Sequence, residues 1–168
     1  AVGNAALTSI TTGIQNTTMG AGAGRNITTG GNNVIIGRVA AYASTDVDKA
    51  VIIGEQAGYT GNMTSDADGT VSIGSGAGKN ITSGQANVSV GFGALATEDT
   101  GDFNTAIGYQ ALATQNREGT VGNTAVGYKA GYAVTDGFGN VFLGGNAGVA
   151  VTTGFSNVII GADTADNL

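Results

Sequence analysis

Glycine recurs along this chain at a nearly fixed interval, and that interval restricts the possible folds more than any other feature. Gly20, Gly37, Gly54, Gly74, Gly91, Gly108, Gly127, Gly144 and Gly161 are separated by 17, 17, 20, 17, 17, 19, 17 and 17 residues. Each closes the middle of one phrase, which reads Asn, β-branched, variable, apolar, Gly, two variable residues, Ala. The phrase is complete at Asn16 to Ala23, Asn33 to Ala40, Asn87 to Ala94, Asn104 to Ala111, Asn123 to Ala130 and Asn140 to Ala147. Ala50 to Ala57 and Thr70 to Ala77 lack the Asn, and Asn157 to Thr164 lacks the final Ala. The two longer intervals fall at polar insertions, near Asn62 to Gly69 and Gln115 to Gly119, which is how a solenoid accommodates extra residues as surface loops. Upstream, Asn4 to Thr8 reads as a worn further copy.

The repeating unit has to be β. Gly, Thr, Asn, Val and Ile are poor helix formers, and no apolar pattern of period 3.6 accompanies them. The expected fold class is therefore all-β, a parallel β-solenoid of about nine to ten coils of 17 residues. Residues 1–15 form a worn N-terminal coil or entry segment, and residues 16–168 form the repeat. Glycine at 31 of 168 positions would suit disorder, but disordered chains avoid the Val and Ile that are plentiful here. A second, weaker strand is expected after each Ala, as at Asn26 to Gly30, Asn80 to Gly84, Ala133 to Gly137 and Ala150 to Gly154.

Strand alternation then sorts side chains into faces. The residue before each anchoring glycine is large and apolar, and two positions earlier it is Val or Thr; these two columns share a face and are expected to form the core. The column between them holds Thr18, Ile35, Ile52, Ser72, Ser89, Ala106, Ala125, Phe142 and Ile159, too apolar to be left in water. A roll this thin buries few large side chains per coil against the backbone entropy of ordering it. The expectation is an oligomer, with Ile35, Ile52, Phe142 and Ile159 at the interface between chains.

Little in the sequence invites catalysis. His and Cys are absent, and general acid–base or nucleophilic sites usually need one of them or a desolvated pair of groups in a pocket. The expectation is a non-enzyme with no cofactor and no metal. Carboxylates cluster at Asp46 and Asp48, at Asp66 and Asp68, and at Glu98, Asp99 and Asp102, where solvated turns are expected; the calcium-loop pattern is missing around Thr64 to Gly69. Gly20 to Gly24 and Gly74 to Gly78 lie in register with the repeat and read as turns, with no Lys-Ser or Lys-Thr pair to make a phosphate loop. Six basic against twelve acidic residues give a net charge of −6, which argues against nucleic acid and anionic membranes as partners. No apolar run approaches the length of a membrane span. The chain opens on Ala1, as expected of a fragment or a processed product.

Aromatic residues supply the candidate binding surface. Phe92, Tyr109 and Tyr128 each follow an anchoring glycine in consecutive coils, so they are expected to stack as a ladder; Tyr42, Tyr59 and Tyr132 share a second column. Both sets are candidates for surface stacking or for a glycan platform.

The phrases Asn104-Thr105-Ala106-Ile107-Gly108-Tyr109-Gln110-Ala111 and Asn123-Thr124-Ala125-Val126-Gly127-Tyr128-Lys129-Ala130 resemble the head repeats of YadA-like trimeric autotransporter adhesins. They are even more similar to related repeats of phage tail fibres. The resemblance runs from about Asn16 to Gly161. It implies a left-handed parallel β-roll assembled as a parallel homotrimer, extracellular, on a virion tail fibre or a bacterial cell surface, with a cell-surface glycan or protein receptor as its partner. Adhesin heads usually repeat at a shorter interval, so a period of 17 favours the tail-fibre variant over the adhesin head. Ice binding by Thr ladders such as Thr28-Thr29, Thr82-Ser83 and Thr152-Thr153 is a third reading, weakened because Thr45-Asp46, Asp99-Thr100 and Thr135-Asp136 interrupt the array.

Overall fold

The structure of the chain, a computed structural model, describes residues 1–164. Each repeat contributes one three-residue strand: Thr17–Met19 (β1), Val34–Ile36 (β2), Val51–Ile53 (β3), Val71–Ile73 (β4), Val88–Val90 (β5), Thr105–Ile107 (β7), Thr124–Val126 (β9), Val141–Leu143 (β10) and Val158–Ile160 (β11). All nine stack in chain order into one parallel sheet, the pattern of a parallel β-solenoid. The register is strict, so that Ile35 lies between Thr18 and Ile52, and Phe142 between Ala125 and Ile159. Two further short strands, Gly101–Asp102 (β6) and Gly119–Thr120 (β8), pair on another side of the roll, β8 within the second insertion. Among the described residues the only helical element is a single 3-10 turn, Ser65–Ala67, in the first insertion.

The fixed period has a steric cause. The anchoring glycines hold φ between +126° at Gly161 and +141° at Gly127, a region closed to residues with a Cβ. They also stack directly on one another: a Cβ on Gly108 would sit 2.3 Å from the carbonyl oxygen of Gly127. Gly3 shows the same signature, with φ +135° and a Cβ that would lie 2.6 Å from the Gly20 carbonyl oxygen, and the Val2 N–H donates to Thr18 O at 2.8 Å. A further coil thus precedes Gly20, but its anchor is Gly3. The phrase read from Asn4 to Thr8 is out of register, with Asn4 already one residue past the anchor.

The expected second strand is not formed. The segments after each Ala run through turns, with left-handed backbone at Gly24, Ala41, Gly58, Gly78, Leu95, Leu112, Gly131 and Gly148. They still bond coil to coil, as in Thr28 N–H to Thr45 O at 2.8 Å and Thr82 N–H to Asp99 O at 2.8 Å. One left-handed residue per coil at this place turns the chain too sharply for a strand to propagate.

The faces of the main sheet are the reverse of those expected. Ile35, Ile52, Phe142 and Ile159, assigned to an interface between chains, are buried inside their own roll. The columns assigned to the core, such as Val34 with Ile36 and Val51 with Ile53, lie on the outside and are only half-covered. Asparagine explains the reversal. Asn33 is buried and its Nδ2 donates across the roll to Val47 O at 2.7 Å, while its Oδ1 accepts the Ala50 N–H at 2.8 Å. Asn123 and Asn140 repeat the arrangement, with Nδ2 on Gly137 O and Gly154 O, both at 2.8 Å. A side chain that satisfies backbone groups on two sides of a coil has to be interior. Asn33 and Ile35 are two residues apart, so Ile35 follows it inward.

The interior is filled by volume exchange between columns. Phe142 occupies space left by Gly131 and Gly148, where added Cβ atoms would approach its ring to 2.7 and 2.4 Å. Where the central strand residue is small, at Ser89 and Ala106, the later turn carries Leu95 and Leu112, both fully buried. In these coils a large residue in one column is matched by a small one in the other.

Candidate binding surfaces

Two surfaces stand out. The first is the outer face of the nine-stranded sheet. Val51, Ile53, Val71, Ile73, Val88 and Val90 are half-exposed along its middle, and the ends are more open, with Met19, Leu143 and Val141 exposed and Val158 and Ile160 at 70% and 64%. The parallel register aligns these side chains into two columns running the length of the sheet, about 38 Å over eight strand steps. Thr17, Thr105 and Thr124 are the polar members of the columns.

The second surface is the aromatic ladder. Phe92 and Tyr109 are stacked at 5.3 Å between centroids with planes 12° apart, and Tyr109 and Tyr128 at 5.5 Å and 16°. All three are exposed, at 53%, 44% and 51%, so the rings form a continuous platform open to solvent. In the second column Tyr42 and Tyr59 are neighbours, 5.8 Å apart and tilted by 47°. Tyr132 lies at the same offset but four coils beyond Tyr59, beside the Nζ of Lys129, which is 5.3 Å from its ring centroid and 5.4 Å from that of Tyr128. A third aromatic pair, Phe138 and Phe155, stacks at 5.2 Å, with Arg117 4.4 Å above Phe138. Its signal in the sequence was the spacing of 17 between the two Phe residues.

The carboxylates do structural work between coils. Asp48 accepts the Gly31 N–H, Asp68 accepts the Asp48 N–H at 2.8 Å, and Asp102 accepts the Gln85 N–H at 2.8 Å. Among the described residues no group of three or more acidic side chains converges as a metal site would. Glu98 differs from the rest: it is fully buried, in a column that also holds Ile27, Ile81, Val134 and Val151 together with Ser44 and Gln115. Its Oε1 accepts the Asp99 and Gly101 N–H groups at 3.0 and 2.7 Å, and its Oε2 has no partner. Burial raises its pKa above the ordinary value of 4.5, against the lowering effect of those N–H groups.

The threonine hydroxyls face the neighbouring coil. Thr11, Thr28 and Thr82 each donate to a carbonyl one coil on, at 3.0, 3.2 and 3.1 Å. Among the described residues no helix is long and apolar enough to cross a membrane. No family model, curated protein or solved structure matches this chain.

Proposed function

We propose that the chain is a non-catalytic segment of a trimeric extracellular fibre, packed copy against copy through the outer face of its sheet. The observation that carries this reading is the double column of Val and Ile on that face. An apolar stripe about 38 Å long is an aggregation liability in water. Straight parallel rolls present identical stripes in identical register, so three copies around a common axis bury them against one another. The interface residues of this reading are therefore Val51, Ile53, Val71, Ile73 and their column mates, in place of the interior Ile35, Ile52, Phe142 and Ile159.

The resemblance of the repeats to those of YadA-like heads and phage tail fibres supports a left-handed roll and a parallel trimer, and the period of 17 favours the tail fibre. The absence of His and Cys from the sequence, and the burial of Glu98, the one carboxyl group with a raised pKa among the described residues, support a structural role.

The experiment places lysines on one face or the other of a single strand. Val51→Lys with Ile53→Lys leaves the strand spectrum in circular dichroism intact and lowers the mass in light scattering to that of one chain. Ile52→Lys, one residue away, unfolds the roll. A double variant that keeps both the wild-type mass and the wild-type melting temperature would contradict the interface.

A further inference from the structure

The residue five places after each anchoring glycine forms a surface column that reads Tyr42, Tyr59, Lys79, Ala96, Ala113 and Tyr132 from Gly37 to Gly127. Two consecutive alanines in a column of long side chains leave a trough. It has a volume of about 420 Å³, with Ala96 and Ala113 along it and Lys79, Phe92, Gln110 and Tyr132 among its walls. Phe92 is also the first ring of the stacked ladder, so the trough opens beside a flat aromatic platform.

Its charge is opposite to that of the molecule. The chain carries −6 overall, yet no carboxylate lines the trough. Lys79 lies in its wall, and the Nζ of Lys129 is 5.3 Å from the centroid of the Tyr132 ring. Among the described residues the ion pairs are Arg38 with Glu55 and Arg117 with Asp136, so neither lysine is neutralised by a carboxylate.

We infer that this trough binds an acidic oligosaccharide. An exposed ring offers its face to the apolar face of a pyranose, an amide such as Gln110 can both donate to and accept from sugar hydroxyls, and the ammonium groups of Lys79 and Lys129 meet the carboxylate. The length between Lys79 and Tyr132, three coil steps or about 14 Å, suits several sugar units. An acidic peptide would satisfy the charge but would not use the ring platform and the amide together. The inference does not rest on the fibre reading, because the trough lies past the strands, off the Val and Ile face.

The test is calorimetric titration of the whole chain with tetragalacturonic acid, with cellotetraose and a tetraglutamate peptide for comparison. Tetragalacturonic acid binds saturably, and more weakly as salt is raised from about 50 to about 500 mM. Phe92→Ala and Lys79→Gln each weaken it, the first by about tenfold. Ala96→Tyr, which fills the trough as Tyr59 fills the same place in its own coil, abolishes binding without removing any polar group. Circular dichroism of all three variants matches the wild type. Absence of binding by tetragalacturonic acid, equal binding of cellotetraose, tighter binding of tetraglutamate, or unchanged affinity in Ala96→Tyr would each overturn the inference.

Discussion

The backbone N–H of Asn140 donates to the side-chain oxygen of Asn123 at 2.9 Å, 17 residues earlier and one coil away. The Asn123 Nδ2 donates in turn to Gly137 O at 2.8 Å and to Gln115 Oε1 at 2.9 Å. One buried amide therefore satisfies a neighbouring coil, the far side of its own coil and an interior side chain. Asn123→Ala leaves those buried partners without it and is expected to cost about 3 kcal/mol. Asn116→Ala, exposed and without a side-chain bond, stays within about 0.5 kcal/mol of wild type. Urea denaturation of the two variants checks the contrast.

Glycine substitutions separate position from composition. Gly108→Ala forces a Cβ to 2.3 Å from a backbone oxygen at φ +136°, where no side chain can yield, and is expected to cost about 3 kcal/mol or more. Gly145→Ala has open space around the new methyl group and is neutral or slightly stabilising, by up to about 1 kcal/mol. Thermal melts of both proteins give the comparison directly.

Glu98 makes stability depend on pH in an unusual direction for a carboxylic acid. Its folded pKa lies above 4.5, so between 4.5 and that raised value the folded chain holds a proton that the unfolded chain has released. Its contribution is fully present below 4.5 and is lost as the pH rises through the folded value. Glu98→Gln keeps an acceptor for the Asp99 and Gly101 N–H groups and cannot ionise. The variant is expected to melt above the wild type at about pH 8 and near it at about pH 4. A wild-type melting temperature that rises over that range relative to Glu98→Gln would contradict the burial of an ionisable Glu98.

The period, the strand positions and the ring stack were legible because each depends on identical offsets from Gly91, Gly108 and Gly127, and a parallel register turns equal offsets into neighbours. The face assignment was not. The columns of Val51 and Ile53 were the better core candidates because they are uniformly β-branched or apolar, whereas the column of Ile52 also holds Ser72, Ser89 and Ala106; the deciding information lay in Asn33 and Asn87, whose interior hydrogen bonds fix which side of the strand faces inward. As the first letter of the repeated phrase alone, they carried no sign for the strand. The second strand was misread for a related reason. Leu95 and Leu112 look like strand residues, yet they take left-handed φ of +52° and +47°, held there by the bore they fill beside Ser89 and Ala106. The trough escaped notice because Ala96 and Ala113 matter only as absences from a column, which appears once the coils are stacked.

The central claim is that the outer Val and Ile face is covered by other copies of the chain. Sedimentation equilibrium of the isolated chain tests it most directly. A trimer of the 16.3 kDa chain has a mass three times that value, and the account predicts this mass as the smallest folded species at micromolar concentration. A soluble, cooperatively melting species of 16.3 kDa, showing no association as the concentration is raised, would contradict it.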